Sequence, residues 1–137
     1  MMGALADSAL AHGGRVLGVI PDGMVAREWA HGGLSELHVV RDMHERKAKM
    51  NALCDAFVAL PGGIGTLEEL FEMYTWAQLG FHDKPIALLD VASYYAPLLA
   101  MLDRMVAQRF LDSAARNALT STNSVDVLLA WLDSPVR

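Results

Sequence analysis

The chain is short of cysteine, of basic residues and of long apolar runs, and each shortage removes a class of function. Its one cysteine, Cys54, excludes a disulfide framework. His12, His31, His38, His44 and His82 show no ligand spacing and no Cys/His cluster fits zinc, so no metal is expected. No apolar stretch approaches the roughly 18 residues of a membrane span, and no membrane association is expected. The opening Met1-Met2-Gly3-Ala4-Leu5-Ala6-Asp7 lacks the basic region of a secretory signal. Lys and Arg number 11 against 16 Asp and Glu, a net charge of -5, which gives nucleic acid or an anionic membrane poor electrostatic footing. Repeats, low-complexity segments and linkers are absent as well. What is present is apolar material: 53% of 137 residues, enough for one core and too little chain for two. The composition predicts a cytoplasmic protein with a single domain over residues 1–137.

Short apolar runs alternate with helical periods. Met2 to Ala11 reads as a helix stopped by Gly13-Gly14. Val16 to Ile20 reads as a buried strand ended by Pro21-Asp22-Gly23. Residues 21–35 read as a loop with one helical turn around Val25–Trp29, before a strand at Leu37 to Val40. Met43 to Leu53 is helical in composition, and Asp55 to Leu60 is the clearest strand. After Pro61-Gly62-Gly63-Ile64-Gly65, a helix is predicted from Thr66 to Leu79, stopped by Gly80. Pro85 to Leu89 is another apolar strand. Tyr94 to Gln108 follows as a helix with Pro97 in its first turn. A strand near Ala118–Ser121 and a helix from Val125 to Leu132, capped by Ser124, close the chain.

Strands that are apolar throughout want helices on both faces, so the alternation predicts a Rossmann-like α/β fold with a parallel sheet. A doubly wound domain ordinarily begins with a strand. This chain begins with a helix, and the expectation is a domain truncated at its N-terminus, lacking its first strand or strands.

The chemistry concentrates after the clearest strand, at Leu60-Pro61-Gly62-Gly63-Ile64-Gly65-Thr66-Leu67-Glu68-Glu69. Glycine permits a tight, positive-φ turn and admits a ligand to the backbone. The first N–H groups of the following helix then form an anion site, suited to phosphate. The spacing fits neither the dinucleotide fingerprint nor the Walker loop. A plain connecting turn is the alternative. Thr66 and Glu69 are also spaced as a capping box, with Thr66 at the N-cap. A carboxylate beside a phosphate site has another use: stabilising positive charge on a sugar, or orienting water.

A second constellation, Arg41-Asp42-Met43-His44-Glu45-Arg46-Lys47-Ala48-Lys49-Met50, holds four of the 11 basic residues in nine positions. Arg46 offers fork-shaped recognition of phosphate or carboxylate. The alternative is a solvated helix face with Glu45 and Lys49 paired at i,i+4. Cys54 is expected to be a small core residue. Phe71, Met73 and Trp76 are expected to pack in a core or a subunit interface, and the methionines to fill a core.

Together these residues resemble the LOG ("lonely guy") family of cytokinin riboside 5′-monophosphate phosphoribohydrolases, also labelled possible lysine decarboxylases. Pro61 to Glu69 fits PGGxGTxxE at every fixed position, and Met43 to Met50 is similar to M-H-x-R-K-x-x-M. Thr75-Trp76-Ala77-Gln78-Leu79-Gly80 and His82-Asp83-Lys84-Pro85 look like the segment that follows in the family. The resemblance implies hydrolysis of the N-glycosidic bond of an adenosine 5′-monophosphate, plain or N6-substituted, giving free base and ribose 5-phosphate. It implies a dimer with the active site near the subunit interface, no cofactor, and Arg46 and Glu69 as the catalytic pair. Met43, Lys47, Gly62, Gly63, Ile64, Gly65 and Thr66 would bind the substrate, the glycine loop and Thr66 taking its phosphate. The family's GGGxxGLMG segment is missing, which agrees with a truncated start. The residues give a lysine decarboxylase no support, with no lysine in a recognisable pyridoxal-phosphate context. The other readings are a nucleotide- or phosphate-binding module without chemistry, and an inactive fragment.

Overall fold

The structure is a computed structural model that describes residues 2–25 and 32–134. Among them are five strands and seven α-helices, and every strand pair is parallel. The fold is α/β and Rossmann-like, as the alternation predicts. The strands pair as two sheets rather than the one expected, in two compact units: residues 1–53 and 54–137.

In the first unit, α1 (Met2–Ala11) buries only Ala6 and ends at Gly13. There φ is +76°, and Gly14 donates back to the Ala9 carbonyl at 2.8 Å. This left-handed stop is what the glycine pair predicts. β1 (Leu17–Pro21) runs parallel to β2 (Glu36–Val40), with Leu17 opposite Glu36 and Pro21 opposite Val40. Between them, α2 (Asp22–Val25) lies earlier than the turn predicted at Val25–Trp29, whose residues 26–29 lie outside the described set. α3 (Met43–Leu53) packs on both strands. β2 departs from the buried-strand expectation: Leu37 is 40% and Val39 56% exposed. A run such as Leu-His-Val-Val therefore marks a strand without fixing how many of its faces are covered.

In the second unit, β3 (Phe57–Ala59), β4 (Ile86–Leu89) and β5 (Leu119–Thr122) are ordered β3-β4-β5. The centre is β4, whose four residues are all buried, whereas β3 stands at one side of this sheet and is half-buried. Alternation along β4 explains its unbroken apolar run. Ile86 and Leu88 face a core with Leu70, Met73 and Tyr74 of α4 (Ile64–Gln78) and Leu102 of α5 (Ala96–Ala107). Ala87 and Leu89 face the other way, onto Leu128 of α7 (Val125–Leu132). Ser124 caps α7 by accepting the Val127 N–H at 3.3 Å. Gly80, at φ +77°, stops α4. A short α6 (Ser113–Ala118), alanine-rich and following Asp112 at its N-cap, occupies residues for which the sequence pattern above predicts no helix. Cys54 is half-buried, and burial pushes its thiol pKa up. Met73 is in the core and Trp76 packs against it, while Phe71 remains 38% exposed.

Candidate active site

The candidate residues fall in both units. Met43, Arg46 and Lys47 lie on the first two turns of α3. Asp42 holds the helix start: its carboxylate accepts the Glu45 N–H at 2.9 Å, and its carbonyl accepts the Arg46 N–H at 3.0 Å. Glu45 reaches back to the backbone N–H and the Nε of Arg41, both at 2.9 Å. Glu45's partner among the described ion pairs is therefore Arg41, not the expected Lys49.

Arg46 is thereby oriented from a capped helix. Its Nε donates to the Val19 carbonyl of β1 at 3.2 Å, and its Nη1 lies 3.9 Å from Met43 Sδ. Met43 and Arg46 are half-buried neighbours at i,i+3. Lys47 is 7% exposed, an unusual place for a lysine and a restricted one for reaching a ligand.

The cap titrates. The Glu45 N–H holds the Asp42 carboxyl below its ordinary value, and the Arg41 N–H and guanidinium do the same for Glu45. Both groups favour the folded, charged form. Their contribution is complete above the usual carboxylate range and is lost as pH falls through the lowered folded values. The start of α3 is thus expected to fray on acidification below about pH 4. Amide exchange at Glu45 and Arg46 measures it. Asp42→Asn, which still caps, should flatten the dependence; an unchanged profile would contradict this assignment.

In the second unit, β3 runs out through Leu60 and Pro61 into the glycine loop. The capping box does not form: α4 begins at Ile64, two residues before Thr66, and its N-cap is Gly63. Gly63 has no side chain to cap with, and the first helical hydrogen bond is Leu67 N–H to the Gly63 carbonyl at 3.2 Å. Thr66 is therefore at the third helical position and Glu69 one turn further in.

The positive-φ turn is not there either. Among the described residues, the glycines in the left-handed region are Gly13 and Gly80. Gly62 is required for a different reason: a Cβ on it would lie 2.8 Å from Thr66 Cβ and closer still to Thr66 Oγ1. At Gly63 and Gly65 an added Cβ meets nothing within 4 Å. Neither backbone strain nor packing in this chain calls for glycine at those two positions; both leave open backbone, which suits the approach of a ligand. Ile64 between them is 82% exposed.

Glu69 sits three residues after Thr66 and four after Gly65, so all three share one helix face. The tilt of helical Cα–Cβ bonds toward the N-terminus directs residue 69 over the turn containing Gly65. Glu69 is half-buried, Glu68 exposed.

Sequence reasoning missed the supports of this loop. The Tyr95 hydroxyl donates to the Leu60 carbonyl at 2.6 Å, and the Tyr94 hydroxyl to the Gly62 carbonyl at 2.5 Å. Their rings meet edge-on with centroids 5.2 Å apart. Burial pushes the Tyr95 phenol up, so it stays a donor. The adjacent tyrosines are the only signal in the sequence, and it is easily absorbed into the next helix. Elsewhere, His82 bonds the Met73 carbonyl through Nε2 at 2.9 Å and accepts the Lys84 N–H at Nδ1 (3.2 Å). Among the described residues, no group of three His, Cys, Asp or Glu is arranged to hold a metal, and no helix is long and apolar enough to cross a membrane.

The sequence model of a family described as possible lysine decarboxylase matches residues 2–132. The chain is 48% identical over 136 residues to a cytokinin riboside 5′-monophosphate phosphoribohydrolase of Rhodococcoides fascians, covering 98% of this chain and 69% of that protein. It is 46% identical over 137 residues to the probable enzyme of that name LOGL1 of Oryza sativa subsp. japonica, covering 100% and 61%. Against LOG1 of Arabidopsis thaliana the identity is 45% over 136 residues, covering 99% and 64%. The chain thus spans about two thirds of the length of these relatives. With the match running over nearly all of its residues, the chain belongs to the LOG family, the one described as possible lysine decarboxylase.

Proposed function

We propose that the chain hydrolyses the N-glycosidic bond of an adenosine 5′-monophosphate, plain or N6-substituted, releasing the free base and ribose 5-phosphate. The observation that carries this is the start of α4. An uncapped helix N-terminus presents two glycines with open space beside them, and a glutamate follows one turn later on the same face. The relatives' printed names give the same chemistry for those proteins.

In this reading Gly62, Gly63, Ile64, Gly65 and Thr66 supply the phosphate site, where backbone N–H groups and the helix dipole attract the dianion. Anchoring the phosphate fixes the ribose, converting binding energy into orientation. As the C1′–N9 bond breaks, positive charge grows on the sugar. The Glu69 carboxylate stabilises that charge and orients the attacking water. The water oxygen bonds to C1′, the bond electrons leave with the base, and a proton from water ends on the base nitrogen. Arg46 on α3 is the second catalytic residue of this reading, its guanidinium suited to phosphate or carboxylate, with Met43 and Lys47 beside it on the same helix assigned to substrate binding.

We further propose that residues 1–137 work as one domain, in the cytoplasm, as a homodimer. Exposed Phe71, Leu79 and Phe81, at 38, 63 and 69%, favour a covered face at α4 and just beyond. A monomer by light scattering would overturn the dimer, and recovery in an exported fraction the location.

Product analysis tests the reaction. Incubation with AMP or isopentenyladenosine monophosphate should yield base and ribose 5-phosphate in equal amounts. Bound but intact nucleotide would mean a binding module, and released phosphate a different enzyme.

A further inference from the structure

The proposed phosphate loop is braced by the segment that follows β4. Asp90, just after β4, donates its N–H to the Thr122 carbonyl of β5 at 2.8 Å and accepts the Tyr95 N–H on Oδ1 at 2.6 Å. Between them Ala92 and Ser93 adopt left-handed φ values of 53° and 58°, a conformation that costs non-glycine residues energy. This arrangement brings Tyr94 and Tyr95 back to the loop leaving β3.

The two tyrosines hold different peptides. Tyr95 binds the Leu60 carbonyl, whose peptide partner is Pro61, without an N–H. Tyr94 binds the Gly62 carbonyl, whose peptide partner is the Gly63 N–H. A trans peptide keeps C=O and N–H on opposite sides, and the described peptides are all trans. Fixing the Gly62 carbonyl therefore fixes the direction of the Gly63 N–H, away from Tyr94. A peptide between two glycines is the one least hindered from rotating. If it turned over, a carbonyl oxygen would face the anion where an N–H should be.

We infer that Tyr94 is a positioning residue for the 5′-phosphate: its hydroxyl holds the Gly62 carbonyl so that the Gly63 N–H faces the anion. The inference rests on the phosphate site proposed above. Tyr94 is 51% exposed, so removing its hydroxyl leaves water to serve the carbonyl and costs little stability. Tyr95 is 1% exposed and is the structural counterpart.

Backbone-amide NMR of the full chain, titrated with AMP and with adenosine, separates these roles. In wild type, AMP should shift the Gly63 amide. Tyr94→Phe should weaken AMP binding about tenfold, leave adenosine binding unchanged and broaden the Gly63 resonance in the free protein. Tyr95→Phe should lower the melting temperature and keep the ratio of AMP to adenosine affinity. Equal AMP affinity in Tyr94→Phe and wild type would overturn the inference while leaving the phosphate site standing. Loop amides that ignore AMP in wild type would overturn the site, and the inference with it.

Discussion

Glu69→Gln is expected to fold as the wild type does and to lose turnover by about 100-fold or more. The substitution keeps the length and shape of the side chain, removes its negative charge and exchanges one acceptor oxygen for an NH2 donor. Had Glu69 served as the third residue of a capping box, glutamine would replace it almost silently, since it caps equally well. That role is not available to it, because α4 starts at Ile64 with Gly63 as N-cap. What glutamine cannot do is stabilise a cationic sugar. The loss should therefore appear in kcat, with nucleotide affinity and melting temperature close to wild type. Arg46→Ala should lose turnover and binding together, because the guanidinium is assigned to both. Steady-state kinetics beside thermal denaturation reads these out. A Glu69→Gln variant with full kcat would remove the carboxylate from the mechanism.

Gly65→Ala carries the second large effect, and it has two signs. Gly65 lies in the first turn of α4, with nothing within 4 Å of an added Cβ and no left-handed φ. Alanine should therefore stabilise the fold, by about 0.5–1 kcal/mol at most. The same methyl group would stand in the open space that the proposed function assigns to the phosphate. KM for AMP is expected to rise about tenfold or more, while any slow reaction of adenosine stays unchanged. Gly62→Ala provides the contrast, since its Cβ would collide with Thr66 and distort the loop itself. A stabilised Gly65→Ala protein with an unchanged KM would show that the open space is not used by the substrate.

The sequence was most legible where a short local signal suffices. Helices Met2–Ala11, Met43–Leu53 and Val125–Leu132 are found at the predicted bounds. The stops at Gly13 and Gly80 and the Ser124 cap are each decided within a few residues. The start of α4 was misplaced because Thr66 and Glu69 imitate a capping box, whereas a glycine serves as N-cap. The place of β3 in its sheet depends on which strands pair with β4, and no local pattern encodes that. Tyr94 and Gly62 are 32 residues apart, and their hydrogen bond exists only once β4 and the turn after it have folded. Motif spacing makes the glycine loop and Arg46 recognisable; the bonds that hold them in place are long-range.

The most direct measurement is a single-turnover assay, with the chain in excess over AMP and, in parallel, over adenosine. Hydrolysis anchored by the 5′-phosphate predicts rapid release of adenine from AMP and little from adenosine. AMP that stays intact through long incubation, or equal release from both, would contradict the account.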